Sequence, residues 1–105
     1  DMLKVGGMWV APAEVEAALI EHPAVLEAGV VGRDDADGLP KPQAFVVLKE
    51  SESASDALAE ELRQFVRARV AHYKVPRWIE FTADLPKTST GKIQRFRLRQ
   101  TDLKL

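Results

Sequence analysis

The run Pro86-Lys87-Thr88-Ser89-Thr90-Gly91-Lys92 holds three hydroxyl side chains, one glycine and two lysines within seven residues. Such groups suit the oxygens of phosphates or carboxylates, and a lysine on a loop delivers a point charge where negative charge builds up. It is not a Walker loop, because the first glycine of that pattern is missing and Gly91-Lys92 is followed by Ile93. On residue types alone, an exposed turn capping the last helix is the stronger account. Gly6-Gly7 beside Trp9 lets the backbone approach a ligand closely, and it equally makes a plain hairpin turn. Tyr73-Lys74-Val75-Pro76-Arg77 sets an aromatic ring among cations, a group that stacks a base and grips phosphates. Its plain alternative is a helix terminus followed by a strand. His22 and His72 lie far apart and make no metal-ligand pattern, and the absence of cysteine excludes thiol chemistry and cysteine-ligated metals.

These segments need elements to hold them. Leu3–Val5 and Met8–Val10 read as two short strands joined at Gly6-Gly7. Pro12 suits the first turn of a helix, Glu14 and Glu16 suit its positive end, and Val15, Ala18 and Leu19 give its buried stripe. His22-Pro23 ends it. Strands are expected over 25–32 and 43–48, paired as an antiparallel hairpin across the polar turn 33–40. A helix over 57–70 carries Leu58, Leu62, Phe65, Val66 and Val70 on one face, with Ser55 or Asp56 as its cap. Trp78, Ile79 and Phe81 make a further strand, and 93–103 a last, basic helix. The order predicts an α+β domain: a small mixed or antiparallel sheet with helices packed against it, on one side.

The chain's 105 residues suit one domain, and 46% hydrophobic and 30% charged residues are ordinary for a globular protein. No apolar run is long enough to span a membrane, and Asp1-Met2-Leu3-Lys4 does not begin a signal peptide. Together with the missing cysteines, this gives the expectation of a cytoplasmic protein. The charge is divided along the chain. Residues 1–61 carry thirteen acidic and four basic side chains, and residues 62–105 carry three acidic and eleven basic ones. A solvated surface accounts for this, as does a basic face that meets a phosphate-bearing partner.

Taken together, the segments resemble one family. Residues 1–16, with Gly6-Gly7-Met8-Trp9-Val10-Ala11-Pro12, resemble the hinge-side motif of the adenylate-forming (ANL) enzymes. Val25-Leu26-Glu27-Ala28-Gly29-Val30-Val31-Gly32 resembles their central strand, Tyr73-Lys74-Val75-Pro76 their lead into the last strand, and Leu85 to Arg95 their terminal lysine motif. The order and spacing match over essentially the whole chain. Met8-Trp9-Val10-Ala11-Pro12 and Pro76-Arg77-Trp78-Ile79-Glu80-Phe81 look most like the benzoate-type aryl-CoA ligases.

The resemblance implies the mobile C-terminal lid domain of an acyl-CoA synthetase, spanning 1–105. In such an enzyme a carboxylate attacks the α-phosphate of Mg-ATP, giving acyl-adenylate and pyrophosphate; the lid rotates, and the thiol of CoA displaces AMP. Lys92 matches the adenylation lysine, which also makes it an expected target of a protein acetyltransferase. Lys4, Gly7, Met8 and Trp9 match positions near the pantetheine channel, with Gly7 leaving room for the thiol arm. Tyr73, Lys74 and Arg77 match weaker contacts for the CoA nucleotide; the tryptophan that some members carry in the loop at Asp37-Gly38 is absent. The large N-terminal domain is the implied partner and holds most of the ATP, the Mg2+ and the aromatic carboxylate. The hinge residue would precede Asp1, the chain reads as a fragment of a longer protein, and alone it is expected to be inactive. Within the family the alternative is a domain that loads a carrier protein. Outside it stands a basic nucleic-acid-binding module, disfavoured because exposed aromatics do not interleave with the cations; neither a nucleic acid nor a membrane is an expected partner.

Overall fold

In the computed structural model, which describes residues 2–103, the chain is a small α+β domain with two sheets and three helices. Strands β1 (Leu3–Val5) and β2 (Met8–Val10) form an antiparallel hairpin. Gly6 and Gly7 fill its two-residue turn at φ +55° and +82°, the positive values that a type I′ turn demands at both central positions. Helix α1 (Pro12–Ile20) starts on its proline and buries Val15, Ala18 and Leu19. Glu14 lies in its first turn, whereas Glu16 does not serve the helix end and is buried in the domain.

Strands β3 (Val25–Asp34) and β4 (Pro40–Leu48) pair antiparallel, longer than the sequence pattern suggested because the polar ends of the turn continue the ladder through Asp34↔Pro40. Helix α2 (Asp56–Arg67) is capped by the Ser55 hydroxyl, which accepts from the Leu58 N–H at 3.0 Å. It stops three residues before Val70; a 3₁₀ turn over His72–Lys74 follows. Strand β5 (Trp78–Phe81) then returns parallel to β4, so the sheet is mixed, with order β3-β4-β5. Helix α3 spans Arg95–Leu103, beginning two residues later than expected.

The helices do not share one side of the sheet. Val15, Ala18 and Leu19 of α1 and Leu62 and Val66 of α2 pack with Val30, Ala44 and Val46. On the opposite face, Val31, Phe45 and Val47 pack with Leu85, Ile93 and Leu98, the last from α3. The reason lies in β4, where Ala44-Phe45-Val46-Val47 is apolar without alternation. A strand of that kind needs cover on both faces. Gly29 in β3 opens the space for α3: a Cβ there would stand 2.9 Å from Leu98 Cδ1.

Candidate functional site

The lysine loop is an ordered hairpin. The Gly91 N–H donates to the Thr88 carbonyl at 3.0 Å, and Gly91 takes φ +88°, open to glycine at little cost. The Thr88 N–H donates to the Lys92 carbonyl at 2.8 Å, and the Lys92 N–H donates to the Thr88 hydroxyl at 3.1 Å. Lys87 and Ile93 form an isolated antiparallel bridge behind this turn. Two of the three hydroxyls take part in shaping the loop, Thr88 Oγ1 lying 3.0 Å from Thr90 Oγ1.

Three anchors join the loop to the body of the domain. Lys87 Nζ pairs with Glu27 at 2.5 Å, which raises the lysine's pKa. Ile93 packs against Leu85 and Leu98. Arg95 forks onto Glu16, with Nε at 2.9 Å from Oε2 and Nη2 at 2.6 Å from Oε1, and this hydrogen bonding raises its pKa. Lys92 itself is exposed, and among the described residues no carboxylate pairs with it. By contrast, Lys41, Lys74 and Lys87 are all ion-paired. Lys92 is thus a cation held by its backbone with its charge unspent.

The glycine hairpin presents a second surface. Val5 and Val10 are buried and root it, while Met8 and Trp9 remain 51% and 58% exposed. Lys4 stands opposite Trp9 in the ladder, its Nζ 5.3 Å from the ring centroid. Nothing lies within 4 Å of a Cβ added at Gly7, so the side-chain space there is open. The positive φ independently favours glycine.

A cleft of about 400 Å³ opens between β4, α2 and the 3₁₀ turn. Tyr73 and Arg77 line it, together with Lys41, Arg63, Arg67 and His72. Lys74 does not; its ammonium is held by Glu14 at 2.7 Å, which raises its pKa, and lies 5.7 Å over the Tyr73 ring. Two carboxylates offset part of this charge. Asp35 bonds Lys41 at 2.9 Å and lies 4.0 Å from Arg77, and Glu60 pairs with Arg63 at 3.0 Å. The Lys41 contact, helped by the Leu39 and Asp37 N–H groups, holds Asp35 down to about 2. Arg67 Nη1 donates to His72 Nδ1 at 3.4 Å. Among the described residues no group of three or more His, Cys, Asp or Glu could hold a metal ion, and no helix is long and apolar enough to cross a membrane.

The sequence reading did not single out Arg63, Arg67, Lys41 or His72. They come from α2, β4 and the 3₁₀ turn, and only the fold gathers them. A helical-wheel signal existed, since Arg63 and Arg67 are one turn apart on α2.

This α+β domain, carrying a lysine hairpin and a glycine hairpin, defines the class. The sequence profile of the AMP-binding enzyme C-terminal domain matches residues 14–92, and the chain belongs to that family. It is 62% identical over 99 residues to a benzoate–CoA ligase of Thauera aromatica, covering 94% of this chain and 19% of that protein. It is 48% identical over 104 residues to a 4-hydroxybenzoate–CoA/benzoate–CoA ligase of Rhodopseudomonas palustris, covering 98% and 19%. Among solved structures, the anthranilate CoA ligase AuaEII in complex with anthranoyl-AMP superposes with a TM-score of 0.91 at 54% identity, covering 96% of this chain and 20% of that one. The chain therefore spans about a fifth of the length of the relatives it matches.

Proposed function

We propose that this chain is the C-terminal domain of an AMP-forming carboxylic acid–CoA ligase acting on benzoate or another aromatic acid. The observation that carries the reading is Lys92: an exposed ammonium that no carboxylate among the described residues pairs with, on a loop closed by its own hydrogen bonds. Carboxylate and α-phosphate are both anionic, so their approach is repulsive. A cation between them offsets that repulsion and stabilises the charge that gathers as the carboxylate oxygen bonds to phosphorus and pyrophosphate leaves. In the second step the CoA thiol attacks the acyl carbonyl and AMP departs. Here the hairpin of Lys4, Gly7, Met8 and Trp9 is the surface that faces the pantetheine arm, reached by rotation of the domain. A Mg2+ ion would sit with ATP on the large N-terminal domain, since this chain's described residues offer it no cluster. The aromatic acid is supported by the names of the benzoate and anthranilate ligases that the chain resembles.

The cleft favours free CoA over a carrier protein as acceptor. Its cations and the Tyr73 ring suit an adenine nucleotide bearing phosphates, a group that a carrier-bound pantetheine arm lacks. The test uses the full-length ligase and Arg67→Ala, with CoA compared against pantetheine as thiol acceptor. KM for CoA should rise about tenfold or more, the scale of one charged hydrogen bond, while KM for pantetheine stays unchanged. Equal effects on both thiols, or thioester formation on a carrier protein alone, would reject this reading.

A further inference from the structure

We propose that Arg95 and Glu16 are positioning residues for Lys92: a half-buried ion pair across the outer edge of β3 that fixes where the lysine loop meets its substrate. The inference rests on the role given to Lys92 above. Glu16 is only 7% exposed, whereas Glu14, two residues earlier, is exposed. A carboxylate taken out of water is costly unless its oxygens are satisfied. Those of Glu16 are. Oε2 accepts the Val30 N–H at 2.8 Å and the Arg95 Nε at 2.9 Å, and Oε1 accepts Arg95 Nη2 at 2.6 Å. The Val30 N–H belongs to an outer strand of the sheet, so no neighbouring strand is there to take it. One carboxylate thus closes the sheet edge and grips the chain 79 residues later.

The place of that grip matters. Arg95 lies three residues beyond Lys92. Between them Ile93 packs into the apolar layer on β3, and the Gln94 N–H donates to the Pro86 carbonyl at 2.8 Å. On the entering side, Lys87 is pinned to Glu27 of β3. Both ends of the hairpin are therefore referenced to the same strand, and no carboxylate among the described residues pairs with Lys92 to pull it elsewhere. An ion pair withdrawn from water is weak support for stability, since an apolar pair of like volume often serves as well. What the planar fork adds is direction, because two parallel hydrogen bonds fix the guanidinium in a way that a lysine's single point charge does not. Adenylation needs such direction, for a displacement of about 1 Å at a reacting group is enough to cost about 10²-fold in rate.

The experiment compares Arg95→Lys, Glu16→Gln and Lys92→Ala in the full-length ligase. ATP–pyrophosphate exchange reports the first half-reaction, thioester formation from a supplied aryl-adenylate reports the second, and thermal unfolding reports the fold. Arg95→Lys keeps the charge and loses the fork; Glu16→Gln keeps an acceptor for Val30 and loses the charge. The expected result is that both lower kcat for exchange by about 10²-fold with KM for ATP little changed, and leave thioester formation within about threefold of the parent. Exchange near the parent rate in both variants, beside a dead Lys92→Ala, would overturn the positioning role. So would an equal fall of both half-reactions, which is the mark of a merely structural pair. Survival of exchange in Lys92→Ala would overturn the reading of Lys92 itself, and the tether with it.

Discussion

A methyl group placed on Gly29 would stand 2.9 Å from Leu98 Cδ1, 3.5 Å from Ile93 Cγ2 and 3.7 Å from Leu85 Cδ1. Carbon atoms rest at about 3.5–4.0 Å, so Leu98 must retreat by roughly 0.6–1.1 Å. It has little room, because Leu98 and Leu85 are only 4% and 3% exposed. Overfilling of this kind costs about 1–3 kcal/mol. In a domain of this size each kcal/mol lowers the melting midpoint by about 4–8 °C. Gly29→Ala in the isolated domain should therefore melt at least about 4 °C below the parent, read by circular dichroism and checked in urea. Leu98→Ala alone should cost about 2–5 kcal/mol through its cavity. In the Gly29→Ala background it should cost less, by about 1 kcal/mol, because the new methyl fills part of that cavity. A Gly29→Ala domain within about 0.5 kcal/mol of the parent, or strict additivity of the two changes, would refute the account of how α3 is seated.

Gly7 has two reasons to be glycine, its φ of +82° and the open space beside it. Gly7→Asn tolerates that φ and still fills the space, so in the full-length ligase it should spare pyrophosphate exchange and impair thioester formation; unimpaired thioester formation would leave the turn as its whole role. Asp35, held at about 2 by Lys41, steadies the β3–β4 turn. Its folded pKa lies below its unfolded value of about 3.9, so its contribution is complete above that value and lost as pH falls towards 2. A carboxyl titration followed by NMR should find its midpoint near 2 and an upward move in Lys41→Ala; a midpoint near 4 in the parent would dismiss the contact. Acetylation of Lys92 removes its charge and should stop adenylation with the fold intact; mass spectrometry beside the exchange assay checks this, and an acetylated enzyme that still exchanges would contradict it.

Local signals carried the elements well and their assembly less well. Ser55 announced the start of α2, the Gly6-Gly7 pair announced its hairpin, and small and β-branched residues on either side of a polar turn announced β3 and β4. The two-sided burial of β4 was present in Ala44-Phe45-Val46-Val47, yet a run of four apolar residues does not say which helix covers which face. The 3₁₀ turn at His72–Lys74 lay between the expected end of the helix at Val70 and the next strand, where no residue pattern marks a single turn. Glu16 looked like a helix-end carboxylate because its partners, Val30 and Arg95, are 14 and 79 residues away. The loop at Lys92 was legible as chemistry through its residue types, while its stiffness depends on backbone hydrogen bonds that no spacing displays. The cations of the cleft were invisible as a group for the same reason: each is an ordinary surface residue until β4 and α2 are brought side by side.

The most direct test is Lys92→Ala in the full-length ligase, with the two half-reactions measured separately. In the proposed role Lys92 meets the carboxylate and the α-phosphate in the first reaction and takes no part in the second. The account predicts a fall in ATP–pyrophosphate exchange of about 10²–10³-fold or more, beside near-parental thioester formation from a supplied aryl-adenylate. Exchange that survives the substitution, or a matching collapse of both half-reactions in a folded protein, would contradict it.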